Sequence, residues 1–272
     1  MHYIKSIISC IAVGILSLSI SGCKSAPLMK SEPTAYATPK PLKNLPSENS
    51  ANEIIRKVDE VRNPQGDYII AVGVISYSKG KESKSATYEV MIKGKDNTLI
   101  KTIKPENERG RVLLMKERNL WAFFPEVSKP LRISMQERLI GEVSNGDIAR
   151  ANFSGDYDAT LQRVETIEGK KYYVLELAAL TPEVTYGKVT LWVGKENLWP
   201  LKAYFYAISG KLLKTCVYEN FVKFGERVRP TRLVMEDPVF KGKKSLISYG
   251  NLRTGQLPEK YFTKDYMKKM ME

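Results

Sequence analysis

Histidine is almost absent from this chain: its one residue is His2, at the extreme N-terminus. If that end is removed as a leader, no Ser-His-Asp or Cys-His mechanism retains its base. Histidine-containing zinc sites and two-histidine iron sites lose their ligands as well. No catalytic residue, metal or cofactor is therefore expected. Cysteine is nearly as scarce, with Cys10, Cys23 and Cys216. The first two belong to the N-terminal segment, so the body of the chain holds a single thiol and no disulfide framework. Cys216 sits in an apolar strand pattern and reads as a small buried hydrophobe rather than a reactive thiol. Long apolar runs are missing too. Ser6 to Gly22 is free of charge, but it falls short of the roughly 20 residues that span a bilayer core as a helix. Acidic residues are outnumbered, giving a net charge of +13.

The N-terminus carries the first positive signal. Lys5 precedes the apolar stretch, the arrangement of an export signal. That stretch ends in Ile20-Ser21-Gly22-Cys23, which resembles the lipobox of bacterial lipoproteins. The resemblance implies cleavage before Cys23, a diacylglyceryl thioether on its sulfur, and a membrane anchor of more than one acyl chain. One chain holds a protein only marginally, whereas two or more hold it durably. Lys24 follows where an inner-membrane retention signal would place Asp, so an outer-membrane destination facing the periplasm is expected. In that compartment the basic surplus, +12 after removal of residues 1–22, is not a nucleic-acid footprint. Phosphate-bearing lipid headgroups are the accessible anions. The scattered lysines read first as a solubilising surface that discourages edge-to-edge strand pairing.

Residues 23–49 carry Pro27, Pro33, Pro39, Pro41 and Pro46 among Ser, Thr, Lys and Asn. They form a tether with too little apolar surface to pack. The domain proper is expected over residues 50–272. It opens with a helix: Ser50-Ala51-Asn52-Glu53 fits a capping box, and Ile54, Ile55, Val58 and Val61 form one apolar stripe that Pro64 and Gly66 end. Strand alternation then repeats. Ala86, Tyr88, Val90 and Ile92 alternate with polar neighbours, as do Val189, Leu191 and Val193, then Leu201, Ala203, Phe205 and Ala207. Further runs lie near 67–78, 98–104, 110–115, 119–124, 160–168, 171–179, 212–224, 229–236 and 244–250. Tight turns join them, and no βαβ alternation occurs, so the sheet is antiparallel. Alternation fails between about 125 and 159, where Pro and Gly recur and Asp147-Ile148-Ala149-Arg150 could start a helical turn. A break of that length is commonly a functional loop or a cover over the sheet. A last short helix is expected over Lys264 to Met270.

Several segments together resemble the outer-membrane lipoprotein-sorting family, the LolA/LolB-like fold. They are the helix Ala51 to Arg62; Asn119-Leu120-Trp121-Ala122-Phe123-Phe124-Pro125, leading to Lys129-Pro130-Leu131-Arg132-Ile133; and Gly141-Glu142-Val143-Ser144-Asn145-Gly146-Asp147-Ile148-Ala149. The stretches Leu198-Trp199-Pro200-Leu201 and Pro230-Thr231-Arg232-Leu233 also fit. The resemblance implies a mainly β (α+β) fold: an unclosed antiparallel barrel of about 11 to 13 strands, with a few helices as a lid over an apolar cavity. It further implies lipid, or the acyl chains of lipoproteins, as ligand, with envelope transport machinery as a partner.

The expected site is thus Cys23 for lipid attachment and Trp121 and Phe123 as cavity lining, because both share one strand face and lead into the irregular segment. The bland alternative for those aromatics is core packing. Asp147 and Asp156 could be called the paired carboxylates of a glycan hydrolase, but capping and turn formation explain them better. The leading function is a non-enzymatic carrier or acceptor of lipid. The runner-up is a non-catalytic accessory or sensor module of an envelope export or signalling complex.

Overall fold

The structure is a computed structural model that describes residues 51–127, 129–225 and 227–270. The leader, Cys23, the tether and the Ser50 half of the capping box lie outside the described residues. The first element is α1 (Ala51–Arg62), which buries Ile54, Ile55 and Val58 completely and Asp59 with them. Six strands follow: β1 (Tyr68–Ser78), β2 (Lys81–Lys93), β3 (Asn97–Lys104), β4 (Val112–Lys116), β5 (Asn119–Phe123) and β6 (Leu131–Ile133). The irregular segment holds a small hairpin, β7 (Arg138–Ile140) and β8 (Val143–Ser144), and the short helix α2 (Asn145–Ala149). Seven strands come next: β9 (Tyr157–Ile167), β10 (Lys170–Ala179), β11 (Lys188–Gly194), β12 (Pro200–Tyr206), β13 (Leu212–Phe224), β14 (Arg227–Glu236) and β15 (Lys244–Thr254). The described chain closes with α3 (Lys264–Lys269).

Thirteen of these strands form one curved antiparallel sheet in the order β6-β5-β4-β3-β2-β1-β15-β14-β13-β12-β11-β10-β9. It consists of two meanders, β1 to β6 and β9 to β15, zipped together where β1 pairs with β15. Local chemistry sets the register of the tightest hairpins. Lys79-Gly80 and Glu168-Gly169 both take positive φ at each residue, the two-residue turn whose twist matches that of its flanking strands. The sheet does not close: β6 and β9 are its two edges.

The period of two sends alternate side chains into different cores. One face carries Val72, Val90, Ile100, Leu113, Leu120, Leu175, Leu191, Phe205, Cys216, Leu233 and Ile247, and α1 and α2 pack on it. This inner face is the main core. The other face forms a smaller cluster, Met91, Leu99, Val112, Leu114 and Phe123, covered by Leu257, Phe262 and Met267 of the C-terminal segment. Among the described residues no helix is long and apolar enough to cross a membrane.

Asp67 fastens the C-terminal cover. Its carboxylate accepts from the Leu257 amide at 3.0 Å and from the Lys93 ammonium at 3.1 Å, while Lys93 also reaches the Leu257 carbonyl. Burial opposes ionisation of Asp67, but the bonds from Leu257, Lys93 and the Gly94 amide outweigh it and hold its pKa below the ordinary value. A depressed carboxylate stabilises the fold above the unfolded-state pKa, and that contribution disappears as pH falls through the folded one. The cover is therefore expected to loosen below about pH 4, near the unfolded-state value of an aspartate. Amide protection at Leu257 and across α3, taken relative to the intrinsic exchange rate at each pH and compared at pH 7 and pH 3, reads this directly. Asp67→Asn should show low protection at both pH values; if it keeps the parent's pH response, Asp67 is not the fastening.

Candidate functional site

The inner face is where the fold leaves most to be explained, because two short helices and a hairpin must cover a wide sheet. The cover is apolar beneath and polar at its fastenings. Ile54, Ile55 and Val58 of α1 point into the core. What ties α1 to the segment before β9 and to β9 itself is polar. The Asn52 side chain donates to Asp158 at 2.7 Å and accepts from the Ala159 amide at 2.8 Å. Asn63 donates to Asn152 at 2.6 Å. Asp59 accepts from the amides of Phe153 (3.0 Å) and Ser154 (2.7 Å) and pairs with Arg62 at 3.2 Å. The Arg62 guanidinium lies 4.1 Å from the centre of the Phe153 ring and 5.6 Å from that of Tyr218. Burial pushes the Asp59 carboxyl above its usual range, against Arg62 and the two amides, which pull it back.

The second cover is the β7–β8 hairpin with α2, and its sequence follows from close approaches. Gly141, at φ +54°, rests where a side chain would strike Ser76 and Ser245. Those two serines bond each other at 2.9 Å, and Ser245 accepts the Glu142 amide at 2.9 Å. Ser144 and Asp147 form the capping box of α2. A side chain at Gly146 would strike Thr185. Beneath this motif lies Lys214, 5% exposed, whose ammonium bonds the Glu142 carbonyl, Ser144 Oγ at 3.0 Å and Asp147 at 2.9 Å. Tyr186 donates to the other oxygen of Asp147. Burial and this carboxylate together hold the Tyr186 phenol well above its usual pKa. The stretch after α2 is pinned in turn: Arg150 pairs with Asp156 through two nitrogens and also reaches Asp96 at 3.1 Å.

Side chains largely fill the space under these covers. The gap lined by Arg62, Phe153, Tyr186, Phe205, Tyr218 and Leu233 measures about 30 Å³. A cleft of about 350 Å³ opens beside the last turn of α1, lined by Arg56, Asn63, Lys95 and Asn152 together with Tyr68 and Ile92 among others. An apolar opening of about 170 Å³ lies mid-sheet, toward the ends of strands β13, β14 and β15. The interior is thus an apolar face that α1 itself occupies, with openings beside it.

The expected site residues are not brought together. Cys23 lies outside the described residues. Trp121 and Phe123 do share one face, but it is the one under the C-terminal segment: Phe123 is buried with Leu257, Phe262 and Met267, and Trp121 packs beside them. The Lys264 ammonium sits 4.2 Å from the centre of the Trp121 ring. A chain on the inner face would not reach either aromatic; one entering beneath the C-terminal segment would. Asp147 and Asp156 serve the structure, each held by its own cation. Cys216 is fully buried, and burial drives its thiol far above the usual pKa. The residues missed in the sequence are Asp59, Arg62 and Lys214. Asp59 stands one position beyond Val58, within the helical stripe of α1, and a carboxylate there signals burial with a partner.

Breaking a buried pair is costly because the survivor stays uncompensated, whereas an exposed pair contributes little. Asp59→Ala should lower the stability read by urea unfolding by about 3 to 5 kcal/mol. Arg56→Ala, which removes the exposed Arg56–Glu60 pair, should change it by less than about 0.5 kcal/mol. Equal effects would show that α1 is not latched through Asp59.

A family model described as "Uncharacterized protein" matches residues 94–269. No curated protein matches the chain. Among solved structures it is similar to a LolA superfamily protein from Nitrosomonas europaea, with 46% identity, a TM-score of 0.76, and coverage of 79% of this chain and 98% of that one. A DUF1329 family protein from Desulfovibrio piger shares the fold at 24% identity and TM-score 0.70, covering 80% of this chain and 98% of its own. An outer membrane lipoprotein-sorting protein domain from Vibrio parahaemolyticus does so at 22% identity and TM-score 0.70, covering 82% and 100%.

Proposed function

Given that this chain belongs to the LolA superfamily, we propose that it is a lipid-anchored envelope protein that binds or carries lipid, or the acyl chains of lipoproteins, on the inner face of its open sheet. The observation that carries this reading is the combination under α1: a continuous apolar face whose cover is apolar where it touches the face and polar where it is fastened. Polar fastenings can exchange their partners for water when the helix lifts, so opening costs little beyond the apolar contacts it breaks. An entering chain regains those contacts, at about 25 cal/mol per Å² of apolar surface covered. Because the ligand replaces Ile54, Ile55 and Val58, much of its gain offsets what α1 loses. The net affinity is modest, as suits a protein that must also release its cargo. Cys23 is the proposed acylation site and residues 23–49 the tether, holding the domain at the outer membrane on its periplasmic side. No catalytic step is assigned.

A second reading, a non-catalytic accessory or sensor module of an envelope complex, is favoured by the filled interior and by Val239 and Phe240, 65% and 57% exposed at the turn between β14 and β15. The two are separable. The full chain, purified gently from the envelope, should show stoichiometric co-purifying lipid by native mass spectrometry and organic extraction, near one molecule per protein. A protein mass free of such lipid, with no uptake of a fluorescent fatty acid, would defeat the carrier and favour the accessory module. For the anchor, Cys23→Ala should remove the acyl mass increment and shift the protein from the membrane to the soluble envelope fraction. Retention of both would exclude Cys23 as the attachment point.

A further inference from the structure

The half-buried Arg62 and Arg150 and the buried Lys214 each meet a carboxylate. Arg229, in β14, does not. It is 9% exposed, its Nε has no hydrogen-bond partner, and among the described residues no carboxylate pairs with it. Its flanking groups are aromatic: the guanidinium sits 5.4 Å from the centre of the Tyr249 ring, and Tyr68 lies nearby. Burial accordingly pulls its pKa below the ordinary value. The arginine borders the opening of about 170 Å³ toward the ends of β13, β14 and β15, with Ile70, Val222, Phe224 and Leu252 around it. Val222 and Phe224 are 44% and 45% exposed, so the apolar lining continues onto the surface.

A buried guanidinium without a counter-charge is costly unless something supplies the charge. Its fork of donors matches carboxylate and phosphate oxygens two at a time. We infer that Arg229 is the headgroup site for a single-chain anionic amphiphile: its carboxylate or phosphate pairs with the guanidinium and its chain runs over Val222, Phe224 and Leu252. This rests on the lipid-binding reading and adds to it a preference for anionic heads.

The test is a competition on the full chain. It is equilibrated below micellar concentrations with equal amounts of oleate, 1-oleoyl-lysophosphatidate, 1-oleoyl-lysophosphatidylcholine and monoolein, and the bound lipid is extracted and quantified. The chain is the same in all four, so only the head differs. At least one anionic probe should be enriched about 10-fold or more over monoolein, the factor that one charge-assisted hydrogen bond supports. Whichever anion dominates tells carboxylate from phosphate. Arg229→Gln should bring the anionic-to-neutral ratio to about one while melting no lower than the parent, since an unpaired buried charge is gone. Val222 is the cross-strand partner of Arg229, so Val222→Glu places an internal carboxylate opposite the guanidinium and should erase the preference independently. Equal binding of all four probes, or an anionic preference that survives both substitutions, overturns the Arg229 site and leaves lipid binding standing. Binding of none by the parent overturns the lipid-binding reading, and this site with it.

Discussion

Among the described residues, a thirteen-stranded antiparallel sheet that stops before its edges meet has only the two-stranded β7–β8 hairpin as a second sheet to lie on its inner face. That single deficit organises the rest of the molecule. The apolar side chains that alternate inward must be covered, and the available cover is short: one helix of three turns, one of little more than a turn, and a small hairpin. Each is set down by apolar contact and pinned by a buried ion pair or amide bond. Asp59, paired with Arg62 in the same helix, pins α1 through the amides of Phe153 and Ser154, and Lys214 with Asp147 pins α2. Buried pairs contribute little net energy over an apolar pair of the same shape, but a displaced one strands a charge. They define where a cover belongs more than how tightly it is held.

The two faces of the sheet are finished differently, and this bears on function. The C-terminal segment covers the outer cluster and is continuous with the last strand. Its largest buried groups, Phe262 and Met267, lie against Leu99, Leu114 and Phe123 in ordinary core packing. The inner face is covered from the opposite end of the domain by α1, through polar bonds to the segment preceding β9 and to β9 itself. In the proposed function, a ligand's chain takes the place of this helix with little change in buried apolar area. The motif from Gly141 to Ala149 belongs to this construction, with its glycines at close approaches and its Ser and Asp capping α2.

Much of the fold was legible in the sequence. The expected run 212–224 coincides with β13, and those at 67–78, 171–179 and 229–236 differ from β1, β10 and β14 by a residue or two. The reason is that period-two alternation bounded by turn residues has few other solutions. The helix at Ala51 was readable from its apolar stripe, and the helical turn expected from Asp147 lies within α2, which begins two residues earlier at Asn145. Trp121 and Phe123 show where that legibility stops. Their spacing places them on one face of a strand, but a strand has two, and nothing in five residues says which one the larger core will claim. Arg229 and Lys214 read as scattered surface cations, because burial of a charged side chain depends on strands distant in the chain. Arg62 escaped for the same reason, its ring partners Phe153 and Tyr218 lying far along the chain.

The amino-acid sequence by itself determined the local elements and their antiparallel succession, since each depends on neighbours within a few residues: alternation, turn glycines and the spacing of apolar positions. The tertiary structure alone decided which face is interior, how the two meanders join at β1 and β15, which cations have counter-charges, and that α1 fills the space beneath it. The joining of the meanders and the seating of α1 turn on contacts between residues about a hundred or more positions apart, and the burial of the cations turns on packing around them, where desolvation acts and sequence pattern carries no record.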